Sequence, residues 1–314
     1  MDTRQLRHFA AVASTLHFGK AAEQLRMTQP PLSQSILALE RELGAPLFAR
    51  TKRRVVLTSF GAQWLAHVRP VLDGIEALPD SARRLREGRV GHLALSFVST
   101  ADYNILPSLV RRFTASFPEI ELRLDEATTD VQIPALLERR AHAGIIIPPA
   151  APLPSELNYI ALLSEPLVAA VPVSWVSEQR IAVVDGCLPA QTVSELPLIL
   201  FPQTVAPAFH DLVTGYFSAQ GARADIVQQA IQMQTIISLV SAGLGIALVP
   251  ASLRNMARVG VRYLDLEDAP ILETGLIWRR ADDAPTLHRF LEIIHELTDP
   301  ERLEAMHAGS DEPM

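Results

Sequence analysis

The sequence predicts three parts in order: an all-α winged helix-turn-helix head, a long linker helix, and an α/β domain built from two Rossmann-like lobes. Three observations carry this. Apolar residues recur at helical spacing from Leu6 to Leu43 and are followed by a basic hairpin. A heptad seam runs from Trp64 to Leu85, and strand and helix signals alternate beyond Gly91. A length of 314 residues asks for more than one compact core. The expected limits are 1–58 for the head, 59–89 for the linker and 90–314 for the α/β domain, with lobe I over 90–163 and 266–300 and lobe II over 164–265.

In the head, Leu6, Phe9, Ala10, Ala13 and Leu16 fall on one helix face, and Ala21, Ala22 and Leu25 repeat the pattern in a second short helix. Thr28 then stands at an N-cap, Pro30 and Pro31 occupy a first turn that tolerates missing N–H groups, and Leu32, Ile36, Leu39 and Leu43 form the next stripe. Gly44 ends it. Leu47-Phe48 is expected to pack inward, Arg50 to Arg54 to form a basic turn, and Val55 to Thr58 to form a strand.

Trp64, Val68, Val71, Ile75, Leu78, Ala82 and Leu85 alternate in steps of four and three, the seam of a dimerising helix. Pro70 and Pro79 predict a kink or break in it. Beyond Gly91, His92–Val98, Ile105–Phe117, Ile120–Glu126, Val131–Arg139 and Ala143–Ile147 read as a βαβαβ run. The pattern resumes from Leu167–Val171 to Leu287–Leu297, and the prolines at 148, 149, 152, 154 and 166 predict a divided sheet.

Composition excludes several classes. No apolar stretch marks a membrane span and the start lacks the apolar core of a secretory signal, so a cytoplasmic location is expected. Cys187 is the only cysteine, which rules out an internal disulfide, and the nine histidines show no His-Glu-x-x-His spacing, so neither metal nor cofactor is expected. Gly-x-Gly-x-x-Gly, Gly-x-x-x-x-Gly-Lys-Ser/Thr and Gly-x-Ser-x-Gly are absent, which argues against an enzyme; Gly243-Leu244-Gly245 follows a helix and reads as a turn. The net charge of −7 divides unevenly: residues 1–90 hold 14 Lys/Arg against 8 Asp/Glu, and the remainder holds 14 against 27. Only the head suits a polyanion.

A helix entering the major groove presents short polar side chains near its N-terminus, where base edges offer donors and acceptors. Thr28, Gln29, Ser33 and Gln34 supply them, with Pro30 and Pro31 in the same turn. Because Leu32, Ile36 and Leu39 must face the core, Gln29 and Ser33 share the opposite face. Arg50, Lys52, Arg53 and Arg54 in the wing, with Lys20 on the preceding helix, are placed to neutralise phosphates.

The run Phe18-Gly19-Lys20-Ala21-Ala22-Glu23-Gln24-Leu25, then Met27-Thr28-Gln29-Pro30-Pro31-Leu32-Ser33-Gln34-Ser35-Ile36, with Leu39-Glu40, Leu43-Gly44, Leu47-Phe48 and Arg50, strongly resembles the LysR-type transcriptional regulators. The resemblance extends over the whole chain and looks most like the branch that governs aromatic-compound catabolism in response to muconate-like or benzoate-like acids. It implies a two-lobed, periplasmic-binding-protein-like sensor, a dimer through the linker or a tetramer, and double-stranded promoter DNA with an inverted repeat as partner. It leaves RNA polymerase open as a further partner. One departure is Gln34, where relatives usually carry arginine.

A ligand of such a sensor lies between the lobes, at strand ends and helix N-termini. Ser99, Thr100 and Asp102 follow the first strand; Thr129 follows the second; Phe201, Pro202, Gln203 and Thr204 end a strand of the second lobe; Gln232 and Gln234 precede a helix. By the resemblance, Thr100, Thr129 and Gln203 stand where relatives hold an effector carboxylate. A second departure is Ile147, where relatives that bind a second aromatic acid carry arginine. That change and Asp102 make a dicarboxylate less suited than a monoanion or a largely apolar ligand.

Overall fold

The computed structural model describes residues 1–50, 54–256 and 258–298. Contacts separate the chain into two compact units after Arg84. In the first, α1 (Thr3–Thr15), α2 (Phe18–Gln24) and α3 (Gln29–Leu43) precede a hairpin of β1 (Phe48–Arg50) and β2 (Val55–Leu57), and α4 (Ser59–Arg86) follows.

Each turn of the head has a local cause. Asp2 and Gln5 form a reciprocal capping box at the start of α1. The His17 ring caps α2, its Nδ1 accepting from Gly19 N at 3.1 Å and Lys20 N at 3.2 Å. Between α2 and α3, Met27 N donates to Ala22 O and Arg26 N to Glu23 O, a Schellman closure in which Arg26, at φ 53°, takes the left-handed position usually given to glycine. Leu32, Ile36, Leu39 and Leu47 are fully buried, each stabilising the core by about 1.5–3 kcal/mol. The Phe48 ring meets Phe9 at 5.5 Å and Phe18 at 5.9 Å. Glu40 fastens the hairpin, its Oε1 accepting from Leu47 N at 2.8 Å and Phe48 N at 3.1 Å. A Cβ at Gly61 would stand 2.1 Å from Leu47 O, so only glycine lets α4 start that close to the hairpin.

Of the kink or break expected in α4, the break does not occur: the helix runs for 28 residues through both Pro70 and Pro79. Each proline deletes one backbone hydrogen bond, and the turns on either side keep theirs. Its seam divides. Val68 and Leu72 are buried, whereas Val71, Leu78 and Leu85 are more than half exposed.

The second unit begins with β3 (Gly91–Phe97), a 3-10 turn (Ser99–Tyr103), α5 (Ile105–Ser116), β4 (Ile120–Glu126), α6 (Thr129–Leu137) and β5 (Ala143–Ile146). Next come β6 (Leu157–Pro172), α7 (Val173–Ser177), β7 (Cys187–Leu188), α8 (Ala190–Ser194), β8 (Pro197–Leu200), α9 (Pro207–Ala219), β9 (Asp225–Gln229) and α10 (Met233–Ser241). The unit closes with β10 (Ala247–Pro250), a 3-10 turn (Ala251–Asn255), β11 (Val261–Leu266), β12 (Ile271–Arg279) and α11 (Pro285–Thr298).

The main sheet has the order β4-β3-β5-β12-β6-β11-β7, with β10 also paired to β6. Strands β3, β4 and β5 are mutually parallel, as the βαβαβ reading required. Strands β8 and β9 pair in parallel, and Ile246 links β8 to the approach of β10. The fold is therefore two α/β lobes, as expected. The division of the sheet is not as expected: the predicted strand Leu167–Val171 is the second half of one 16-residue strand, β6, whose first half pairs with β12 and whose second half pairs with β10 and β11. Pro166 lies within that strand opposite Ile271, and the ladder resumes where Leu167 N donates to Pro270 O.

Candidate DNA-reading surface and effector cleft

In the head, Gln29 is the first residue of α3 and stands seven before Ile36, hence on the side of the buried stripe and not, as expected, on the face opposite it; its place at the helix end is what exposes it. With Leu32, Ile36 and Leu39 fully buried, Thr28, Gln29, Pro30, Pro31 and Gln34 are exposed and Ser33 is half-buried. Thr28 occupies the N-cap, yet its hydroxyl makes no capping bond; Pro30 and Pro31 carry no N–H, so the first turn keeps the Gln29 N–H open beside its polar side chains. The Gln29 Oε1 atom lies 4.0 Å from where a Cβ on Gly19 would stand, which sets it beside the first turn of α2, and Lys20 on that turn is exposed. Arg54 is exposed at the wing; Lys52 and Arg53 lie outside the described residues, as does the side chain of Arg50. His8, buried in α1, holds Ser35 of α3 at 2.8 Å through Nδ1. Burial, aided by the nearby Arg4 charge and opposed by Asp2, lowers the pKa of His8.

In the second unit a cavity of about 460 Å3 opens between the lobes. Val98, Ser99 and Thr100 line it from the end of β3, Glu126 to Asp130 from the β4–α6 junction, Ile147 from the end of β5, and Phe201 with Gln232 from the other lobe. A side pocket of about 200 Å3 shares Ser99, Glu126 and Gln232 with it and adds Asp102, Tyr103, Met233 and Gln234. Six of the predicted residues thus meet in the cavity: Ser99, Thr100, Thr129, Ile147, Phe201 and Gln232. Asp102 and Gln234 lie in the side pocket. Pro202, Gln203 and Thr204 are not among the lining residues of either; Gln203 is exposed, its Nε2 donating to Asp211 Oδ1 at 3.1 Å.

The two threonines differ. Thr100 is 3% exposed, and its hydroxyl oxygen has no hydrogen-bond partner among the described residues. Such a buried hydroxyl carries an unmet demand of about 1–3 kcal/mol. Thr129 donates to Ile147 O at 3.0 Å, so its proton is already engaged and its lone pairs remain. Gln132, fully buried, donates from Nε2 to Ala127 O at 2.7 Å and Ile145 O at 3.0 Å and pins α6 to two strand ends. Sequence reading missed Gln132 and also missed Glu126 and Asp130. Glu126 ends a strand whose residues alternate only weakly, and nothing in its neighbours marks a cleft.

The linings of both cavities contain acids, amides, hydroxyls and apolar groups, without Lys, Arg or His. Tyr103 records the resulting field: burial, then the charges of Asp102 and Glu126, push its phenol pKa up. No group of three or more His, Cys, Asp or Glu that could hold a metal occurs among the described residues, and no helix among them is long and apolar enough to cross a membrane.

Comparison with known proteins gives these two sites a family. The model of the bacterial regulatory helix-turn-helix protein, lysR family, matches residues 3–62, and that of the LysR substrate binding domain matches residues 86–299. The chain belongs to the LysR family. Its members are transcriptional regulators and not enzymes. This LysR-family chain is 63% identical over 297 residues to the HTH-type transcriptional regulator IlvR of Caulobacter vibrioides, covering 94% of this chain and 98% of the relative. It is 34% identical to CatR of Pseudomonas putida over 298 residues, covering 94% and 98%. Full-length CbnR, solved in complex with its target DNA, superposes with a TM-score of 0.79 at 28% identity, covering 95% of this chain and 99% of that one.

Proposed function

We propose that this LysR-family regulator binds an inverted repeat in promoter DNA as a dimer or tetramer in the cytoplasm, and that a small organic acid bound between the lobes sets its activity. The observation that carries the reading is the cavity of about 460 Å3 in which Thr100 presents an unpartnered hydroxyl. A buried donor with no acceptor is matched by a ligand oxygen, and a carboxylate is the strongest acceptor available to it. We retain 1–58, 59–89 and 90–314 as the working domain limits. The exposed first turn of α3 supports base reading by Gln29, with half-buried Ser33 in the next turn as its proposed companion, and the likeness to DNA-bound CbnR supports duplex DNA as the partner. An aromatic acid draws support from relatives such as CatR; the much higher identity to IlvR favours keeping the acid's body open.

Footprinting on the promoter beside the protein's own gene, repeated with a panel of carboxylic acids, tests the proposal. One of the acids should alter the protected pattern, and Thr100→Val should raise its dissociation constant by about tenfold to a hundredfold. A response indifferent to Thr100→Val would place the effector elsewhere.

A further inference from the structure

The charge lining the cleft and its side pocket has the wrong sign for a plain acid; the neighbouring pocket, which shares Tyr103, Met233 and Gln234 with the side pocket, holds Arg258. Glu126 and Asp130 line the main cavity, Glu126 and Asp102 line the side pocket, and none of the three has an ion-pair partner among the described residues. No lysine, arginine or histidine joins them in either lining. Against this stand two features that suit a carboxylate. Helix α6 starts at Thr129 with no side-chain cap from Thr128, which leaves backbone N–H groups open at the cavity wall, and the Thr100 hydroxyl beside it is unpartnered and 3% exposed. The site therefore offers N–H and hydroxyl donors at α6 and Thr100 and the carboxylates of Glu126 and Asp102 in the side pocket, with Asp130 exposed in the first turn of α6 and Val98, Ile133, Ile147, Phe201 and Phe209 as an apolar wall.

We propose that the effector is a zwitterion: its carboxylate meets the N-terminus of α6 and the Thr100 hydroxyl, its cationic group faces Glu126 and Asp102, and an apolar body lies against the wall of Ile133, Ile147 and Phe209. This rests on the cleft being the effector site. It also gives Ile147 a chemical reason. With the anion held by N–H and hydroxyl donors, an arginine at this position would repel the cationic end it now leaves room for. The side pocket is deep enough, at about 200 Å3, for an ammonium group and its water, and the amides of Gln232 and Gln234 can complete its solvation.

Matched ligand triads decide the point. Phenylalanine, 3-phenylpropanoate and phenethylamine share one body, as do norleucine, hexanoate and pentylamine, and binding of each to the full-length protein is measured by calorimetry and by the thermal shift it causes. The zwitterion should bind at least about tenfold more tightly than either the acid or the amine of its triad, in keeping with two solvent-accessible ion pairs. Glu126→Gln and Asp102→Asn should each reduce the preference over the acid while leaving the affinity of the acid itself unchanged or improved. An acid that binds as tightly as its zwitterion, or a preference untouched by both substitutions, overturns the zwitterion while the cleft stands, provided Thr100→Val still weakens that acid. If no member of either triad binds, or if binding ignores Thr100→Val, both the zwitterion and the cleft as its site are refuted.

Discussion

Asn104 Nδ2 donates to Glu165 Oε1 at 2.7 Å, joining the first residue before α5 to the middle of β6. The same carboxylate accepts from Ser252 N at 2.7 Å and Ser252 Oγ at 3.1 Å, so groups from both lobes converge on one buried side chain. Charge-assisted bonds of this kind contribute about 1.5–3 kcal/mol each when made, and breaking the set strands their donors. Glu165→Ala is expected to lower the unfolding free energy by about 3 kcal/mol, measured by urea titration of the full chain. A loss under about 1 kcal/mol would mean that water replaces the carboxylate without cost.

Gln29 is exposed at the N-terminus of α3, beside the first turn of α2. Gln29→Ala should relax the preference at one base-pair step by about 1–3 kcal/mol per half-site, seen as a flattened column in binding selections from randomised DNA. An unchanged profile would assign Gln29 to the phosphate backbone.

The exposed half of the α4 seam predicts self-association. Leu78 is 61% exposed on a face that also carries Val71 and Leu85. Leu78→Glu should cost the assembly about 1.5–3 kcal/mol for each leucine withdrawn from an apolar contact, and sedimentation should show a smaller species at the same concentration. An unaltered mass would separate this stripe from the interface.

Two histidines make acid destabilising before the carboxylates titrate. His142 accepts from Ala94 N at Nδ1, 3.0 Å away, and burial lowers its pKa, with Arg279 and His92 acting in the same sense and Asp282 against them. His8 is lowered as well. A group depressed in the folded state is neutral in both states at high pH. As pH falls through about 6.5 the unfolded chain takes up the proton first, and stability declines until the folded pKa is reached. The melting temperature should therefore fall between about pH 7.5 and 5.5, and His142→Asn should flatten part of that slope. A slope unchanged by His142→Asn would locate the effect elsewhere.

How much of this was legible in the sequence follows from which forces act locally. The head was readable almost residue by residue, because Leu32, Ile36 and Leu39 recur at helical spacing and all three are fully buried. The continuity of α4 was not, since a proline's penalty is visible in sequence and the turns that absorb it are not. Strand β6 hid its first half because Leu157 to Leu163 mixes buried and partly exposed positions, while Leu167 to Val171 is fully buried and reads as a strand at once. In the cleft, Thr100 was found from its place at a strand end. Glu126 and Gln132 were not, because one looks like a solvated acid and the other like a polar helix residue until the chain folds them against the same opening. Gln203 sits at a strand end too, yet its loop turns it toward Asp211.

The 16 residues of β6 hold β12 along their first part and β10 and β11 along the rest, so one continuous backbone belongs to both lobes. Sliding one lobe past the other would break a ladder of main-chain bonds, whereas torsion along the strand leaves every rung in place. A ligand seated between the lobes would meet a shared strand that resists sliding and yields to torsion.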